Sequence, residues 1–125
     1  MNGHPTPQRP VVLLVEDEPF VRMAAADALQ DAGFEVIETV HAQAAQEVLR
    51  SRDDIRVVFT DVRMPGSMNG LELATLVRRC WPHISLVVTS GHLEPACCLL
   101  PEAAVFIAKP YAENTPAQVI QALLA

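Results

Sequence analysis

Val11-Val12-Leu13-Leu14-Val15 is an apolar run with no polar break. A strand with one wet face alternates polar and apolar positions. An unbroken run therefore marks a strand covered on both faces, as strands of parallel sheets are. Val57-Val58-Phe59-Thr60 reads as a second central strand, the run from Ile84 to Thr89 as another apolar strand and the run from Ala104 to Ala108 as the last strand. Glu35 to Thr39 alternates instead, which suits an edge strand.

Helical patterns fill the intervals. Pro19 suits the first turn of a helix whose buried stripe is Val21, Ala25, Ala28, Leu29 and Ala32, and Gly33 ends it. Ala42 to Ser51 reads as a second helix, with Ala45, Val48 and Leu49 inward. Leu71 to Trp81 is a third, stopped by Pro82, and Thr115 to Leu124 is the last. Leu93 to Leu100, which contains Pro95 and precedes Pro101, holds at most a short helix. The strand-helix alternation, five times over, predicts an α/β doubly wound, five-stranded parallel sheet with helices on both faces.

Met1 to Pro10, with three prolines and a glycine, reads as a flexible tail, and residues 11–125 as one domain. Half of the 125 residues are hydrophobic, ample for a core. The formal charge of -6, from 15 acids against 9 bases, opposes direct binding to nucleic acid. No apolar run reaches the length of a membrane span, and the tail lacks a signal core, so a cytoplasmic location is expected. Cys80, Cys97 and Cys98 form no C-x-x-C and read as free thiols.

In such sheets ligands sit beyond the carboxyl ends of the strands. There the sequence has Glu16, Asp17 and Glu18 after the first strand, Asp61 after the third, Thr89, Ser90 and Gly91 after the fourth, and Lys109 after the fifth. Crowded carboxylates repel and call for a cation. An all-oxygen donor set suits Mg²⁺ (or Mn²⁺) rather than zinc. Around such an ion a carboxylate can attack a phosphoryl group whose charge an ammonium and a hydroxyl balance. Asp61 is the nucleophile expected, Lys109 the ammonium and Ser90 the hydroxyl. Thr89 reads as a plain cap for the following segment, and Glu18 as a helix N-terminal acid.

Val-Glu-Asp-Glu-Pro at 15–19, Thr-Asp-Val-Arg-Met-Pro at 60–65, Thr-Ser-Gly at 89–91 and Lys-Pro-Tyr at 109–111 together resemble the response-regulator receiver family of two-component signalling. The resemblance runs from Val11 to about Leu124. It implies the flavodoxin-like strand order 2-1-3-4-5. It implies that Asp61 accepts a phosphoryl group from a histidine kinase or histidine phosphotransfer protein. Asp17 would bind the metal directly, Glu16 through water, and Arg63 through its backbone carbonyl. Ser90 and Lys109 would contact the phosphoryl group, and Phe106 would be the aromatic that changes rotamer on activation. The Lys109-Pro110 bond would be cis.

Two stretches depart from the family's common pattern. The loop from Asp61 to Gly70 is one residue longer, which a turn at Gly66 and Ser67 absorbs. The interval from Ser90 to Lys109 is shorter by nearly one helical turn, so the fourth helix, over 93–102, is expected to be shortened. The resemblance implies a signalling protein rather than an enzyme, acting on an unknown downstream protein, with a phosphorylation-dependent dimer as one form. The chain ends just after the last helix, which suits a stand-alone regulator or a module excised from a hybrid sensor kinase. An aspartyl-nucleophile phosphatase would need an acid two residues past Asp61, where Arg63 stands. A flavin module would want small or hydroxyl residues where Glu16-Asp17-Glu18 stands.

Overall fold

The computed structural model describes residues 9–64, 66–91 and 100–125. Its strands are β1 (Val11–Val15), β2 (Glu35–Thr39), β3 (Ile55–Asp61), β4 (Ser85–Ser90) and β5 (Val105–Ala108). The helices among the described residues are α1 (Pro19–Asp31), α2 (Ala42–Ser51), α3 (Gly70–Cys80) and, at the C-terminus, α4 (Thr115–Leu124). Every strand pairing is parallel, in the order β2-β1-β3-β4-β5. The fold class and strand order expected from the sequence are the ones observed. Residues 92–99, where a shortened fourth helix was expected, with His92, Cys97 and Cys98, lie outside the described residues, as do Pro65 and tail residues 1–8, and the described residues 100–102 of that stretch are not helical. The tail's last residue is tied down: the Pro10 carbonyl accepts the Glu35 N–H at 3.0 Å.

Successive side chains of a strand face opposite sides, so each central strand feeds two cores. Leu13, Val15, Val58, Leu86 and Val88 meet Ala45 and Leu49 of α2 and Leu73 and Val77 of α3. Val12, Leu14, Val57, Phe59, Val87 and Ile107 meet Ala25, Ala26 and Leu29 of α1 and Ala117 and Ile120 of α4. The helix stripes are thus those of the sequence pattern, with one shift. Ala26 is fully buried on α1, whereas Val21, Ala28 and Ala32 are only half-buried.

The limits of β3, α3 and β4 differ from expectation, and β5 begins at Val105 rather than Ala104. β3 begins at Ile55, not Val57, because a register irregularity against β1 between Val11 and Val12 lets exposed Arg56 sit inside the strand. α3 begins at Gly70, not Leu71. Asn69 caps it, its Oδ1 accepting the Glu72 N–H at 2.9 Å while Glu72 Oε1 accepts the Asn69 N–H at 2.9 Å. β4 runs on through Ser90, so Thr89 is a strand residue and not a cap. Its hydroxyl donates to the Ile107 carbonyl at 2.7 Å. Gly33, with φ of 99°, ends α1 in the left-handed region as expected.

Candidate functional site

Four chain segments deliver polar side chains to the carboxyl edge of the sheet. Glu16 follows β1 directly and is 3% exposed although it is an acid. Glu16 Oε2 accepts the Glu18 N–H at 3.1 Å, and Arg22 Nη1 donates to the Glu16 carbonyl at 3.2 Å. Glu18 is the N-cap of α1, accepting from the Phe20 and Val21 N–H groups, the structural role read for it in the sequence. Asp17 between them is exposed.

Asp61 closes β3 and is 8% exposed. Its Oδ1 accepts the Arg63 N–H at 3.3 Å. Its backbone is packed under the start of α3. A Cβ added to Gly70 would overlap the carbonyl of Asp61 and crowd the Cα of Val62. Glycine at the first position of α3 lets the helix close down on the strand end. The Gly70 N–H donates to the Val62 carbonyl at 2.9 Å, which fixes that approach. Gly66, with φ of 103°, makes the turn in the lengthened loop, and Gln43 Nε2 donates to Ser67 Oγ at 3.1 Å.

Lys109 follows β5 and reaches back across the edge. Its Nζ lies 2.7 Å from Asp61 Oδ2 and 3.0 Å from Glu16 Oε1. The Lys109-Pro110 bond is cis, as the resemblance implied. The Lys109 N–H donates to the Ser90 carbonyl at 3.0 Å, so Ser90 and Lys109 are adjacent at the edge. Phe106 sits opposite Val88 in the ladder, half-buried against the core shared with α2 and α3, on the face that Ser90, two residues past Val88, shares by strand alternation.

Carboxylate oxygens of Glu16, Asp17 and Asp61 lie within 4.8 Å of one another. Among the described residues one ammonium pairs with this group of three acids, which leaves two formal negative charges uncompensated there. Burial is the main force raising the Glu16 pKa, opposed by the Lys109 hydrogen bond and reinforced by the charge of Asp61. Burial alone would lower the Lys109 pKa. Its hydrogen bonds to Asp61 and Glu16 outweigh burial and hold it above the ordinary lysine range. Tyr111 is raised by burial; its ring meets Phe59 at 6.2 Å. The donor set is all oxygen and partly open to water, which fits a hard divalent cation of the Mg²⁺ kind.

The sequence profile of the response regulator receiver domain matches residues 12–121. The chain is 35% identical over 117 residues to sensor kinase CckA of Brucella abortus, covering 90% of this chain but only 12% of that protein. It is 31% identical over 106 residues to a chemotaxis protein CheY homolog of Campylobacter jejuni, covering 80% of this chain and 81% of that one. A response regulator receiver protein from Sinorhizobium medicae superposes with a TM-score of 0.82 at 28% identity, covering 95% and 94% of the two chains. The sheet order and the acid-lysine cluster at its edge define a signalling module of the two-component kind. The chain belongs to the response regulator receiver domain family.

Sequence reading missed Gly70, whose need is visible only once α3 is seen to rest on Asp61. It also missed the part of Thr89. A glycine directly after a capping Asn was the available signal for the first; for the second the strand simply ran one residue further than expected.

Proposed function

We propose that this protein takes a phosphoryl group on Asp61, from a histidine kinase or histidine phosphotransfer protein, and signals by conformational change and protein contact. The observation that carries the proposal is the Lys109 ammonium set 2.7 Å from Asp61 and 3.0 Å from Glu16, with Asp17 beside them. A surplus of buried carboxylate is costly to keep and makes sense where a cation and a phosphoryl group are to be held. Asp17 and Asp61 would hold Mg²⁺ (or Mn²⁺) directly, Glu16 through water, and Arg63 through its carbonyl. The bound ion would supply positive charge opposite the phosphoryl oxygens.

An Asp61 oxygen attacks phosphorus as the phosphorus-nitrogen bond of phosphohistidine breaks; the imidazole leaves with the electron pair. Lys109 stabilises the charge on the transferred oxygens, and the Ser90 hydroxyl donates to one of them. A cleft of about 780 Å³, walled by Phe20, Val21 and Ala24 of α1 and by Tyr111, gives the donor protein apolar surface next to Lys109. Release of Phe106 from its half-buried place would carry the signal toward a downstream protein or a second copy. The protein so read is a cytoplasmic phosphoacceptor and not an enzyme with a turnover substrate.

Incubation with a small acyl-phosphate donor, with and without Mg²⁺, tests this by intact mass. The expected result is a metal-dependent phosphoryl adduct that Asp61→Ala lacks. An adduct that persists in that variant overturns the assignment. A second reading, a receiver unit within a longer sensor kinase, draws support from the match to 12% of a sensor kinase's length. It leaves the Asp61 chemistry unchanged.

A further inference from the structure

We infer that Thr89 is a positioning residue that sets the spacing between the nucleophile and the lysine. This rests on the reading of Asp61 and Lys109 just given. Asp61 pairs with Thr89 across the β3–β4 ladder, and Thr89 pairs with Ile107 across the β4–β5 ladder. The three residues therefore form one row across the sheet. Thr89 bonds to both neighbours. Its carbonyl accepts the Val62 N–H at 3.0 Å, one residue past Asp61. Its hydroxyl donates to the Ile107 carbonyl at 2.7 Å, two residues before Lys109.

The hydroxyl is the unusual part of that linkage. Thr89 is 2% exposed and follows Val87 and Val88 in the strand. A buried hydroxyl is costly unless it is bonded, so its place here is explained by its bond. β5 is an edge strand, with a neighbour on one side only among the described residues, and it is four residues long. Its position rests on few ladder bonds, and Lys109 leaves directly from its end. The Thr89 hydroxyl adds a link at that weakest place. It fixes β5 against β4, and through β4 against the strand that carries Asp61. The metal-binding acids Glu16, Asp17 and Asp61 hang from β1 and β3 and do not depend on it.

The test compares Thr89→Val, which removes the hydroxyl at nearly constant shape, with Thr89→Ser, which keeps it. In Thr89→Val, phosphorylation by a small acyl-phosphate donor at saturating Mg²⁺ should slow about tenfold, because reacting groups a fraction of an ångström out of place lose that much. Mg²⁺ affinity, measured by calorimetry, should stay within about twofold of the parent, since misplacing Lys109 acts on the phosphoryl group and not on the acids. Thr89→Ser should recover the rate. The Lys109 amide proton, bonded to the Ser90 carbonyl, should exchange faster in Thr89→Val and recover in Thr89→Ser. A parental rate in Thr89→Val overturns the inference. So does a Thr89→Ser variant as slow as Thr89→Val, or a fall in metal affinity that matches the fall in rate. Should Thr89→Val not fold, Thr89→Cys weakens the donor and is read the same way. If the parent protein forms no adduct at all, the Asp61 reading fails by itself. The Lys109 amide then still decides the positioning claim, which unchanged exchange in Thr89→Val overturns.

Discussion

Charged residues gather at both edges of the sheet, and the two gatherings differ in kind. At the amino edge Arg52 Nη2 lies 2.6 Å from Asp54 Oδ2 and 3.3 Å from Glu35 Oε2. At the carboxyl edge Lys109 Nζ lies 2.7 Å from Asp61 Oδ2. By distance the first pair is the tighter. By surroundings it is the weaker: the side chains of Arg52 and Asp54 are 36% and 49% exposed, against 22% and 10% for the side chains of Lys109 and Asp61. Water screens the first pair, so its geometry carries little energy. The second group is shielded and short of positive charge, and there each substitution is felt. Shortness of contact thus does not mark the functional edge; burial combined with uncompensated charge does.

The strongest way to break the comparison is Gly70→Ala. Its methyl would overlap the backbone of Asp61, so the carboxyl edge should lose about 4 kcal/mol in denaturant unfolding, as strained core changes do. A loss below about 1 kcal/mol, an ordinary helix-interior change, would show that α3 is free to move off the strand end. Next comes Lys109→Met. It should slow phosphorylation by a small acyl-phosphate donor about a hundredfold, the scale of losing one preorganised charge stabiliser. A rate within a few-fold of the parent would make Lys109 a bystander.

Glu16→Gln sharpens the contrast in the other direction. Removing a buried, poorly compensated charge should stabilise the protein by about 1 kcal/mol at pH 7 while weakening Mg²⁺ binding. The pH dependence follows from the direction of the shift. Burial raises the folded pKa of Glu16 above its ordinary value of 4.5, so the fold prefers the protonated form. The stability this group contributes is complete below that ordinary value and is lost as pH rises through the folded pKa. The gap between Glu16→Gln and the parent should therefore close toward about pH 4, and urea melts across that range would reveal a gap that stays constant instead. The smallest effect belongs to the amino edge. Arg52→Ala should leave the denaturant midpoint close to the parent's, with any difference shrinking further in salt; a shift as large as that of Gly70→Ala would erase the distinction between the edges.

The carboxyl edge was largely legible from the sequence, because strand-end position is a property of pattern. Val11–Val15 and Val57–Thr60 announce covered strands, and the polar residues just beyond them fall together once the topology is known. Glu16, Asp17, Asp61 and Lys109 were found that way. What escaped depends on contacts between distant segments. Arg56 is polar and exposed, so no apolar run marked the start of β3 at Ile55. Gly70 matters only through the backbone it touches in Asp61. Thr89 looks like any capping threonine until its hydroxyl is seen to face the Ile107 carbonyl on a strand 18 positions away. Phe106 was singled out only by resemblance, and its half-buried place against the α2 and α3 core is a plain core position as much as a switch.

The central claim is a covalent bond at one residue, so chemical trapping tests it most directly. Phosphorylated protein is reduced with borohydride, which converts an aspartyl phosphate to homoserine, and its peptides are sequenced by mass. Homoserine at position 61, and only after treatment with donor and Mg²⁺, is the predicted result. Homoserine at Asp17, a phosphoryl group retained on another side chain, or unmodified Asp61 in a protein that carries the adduct would contradict it.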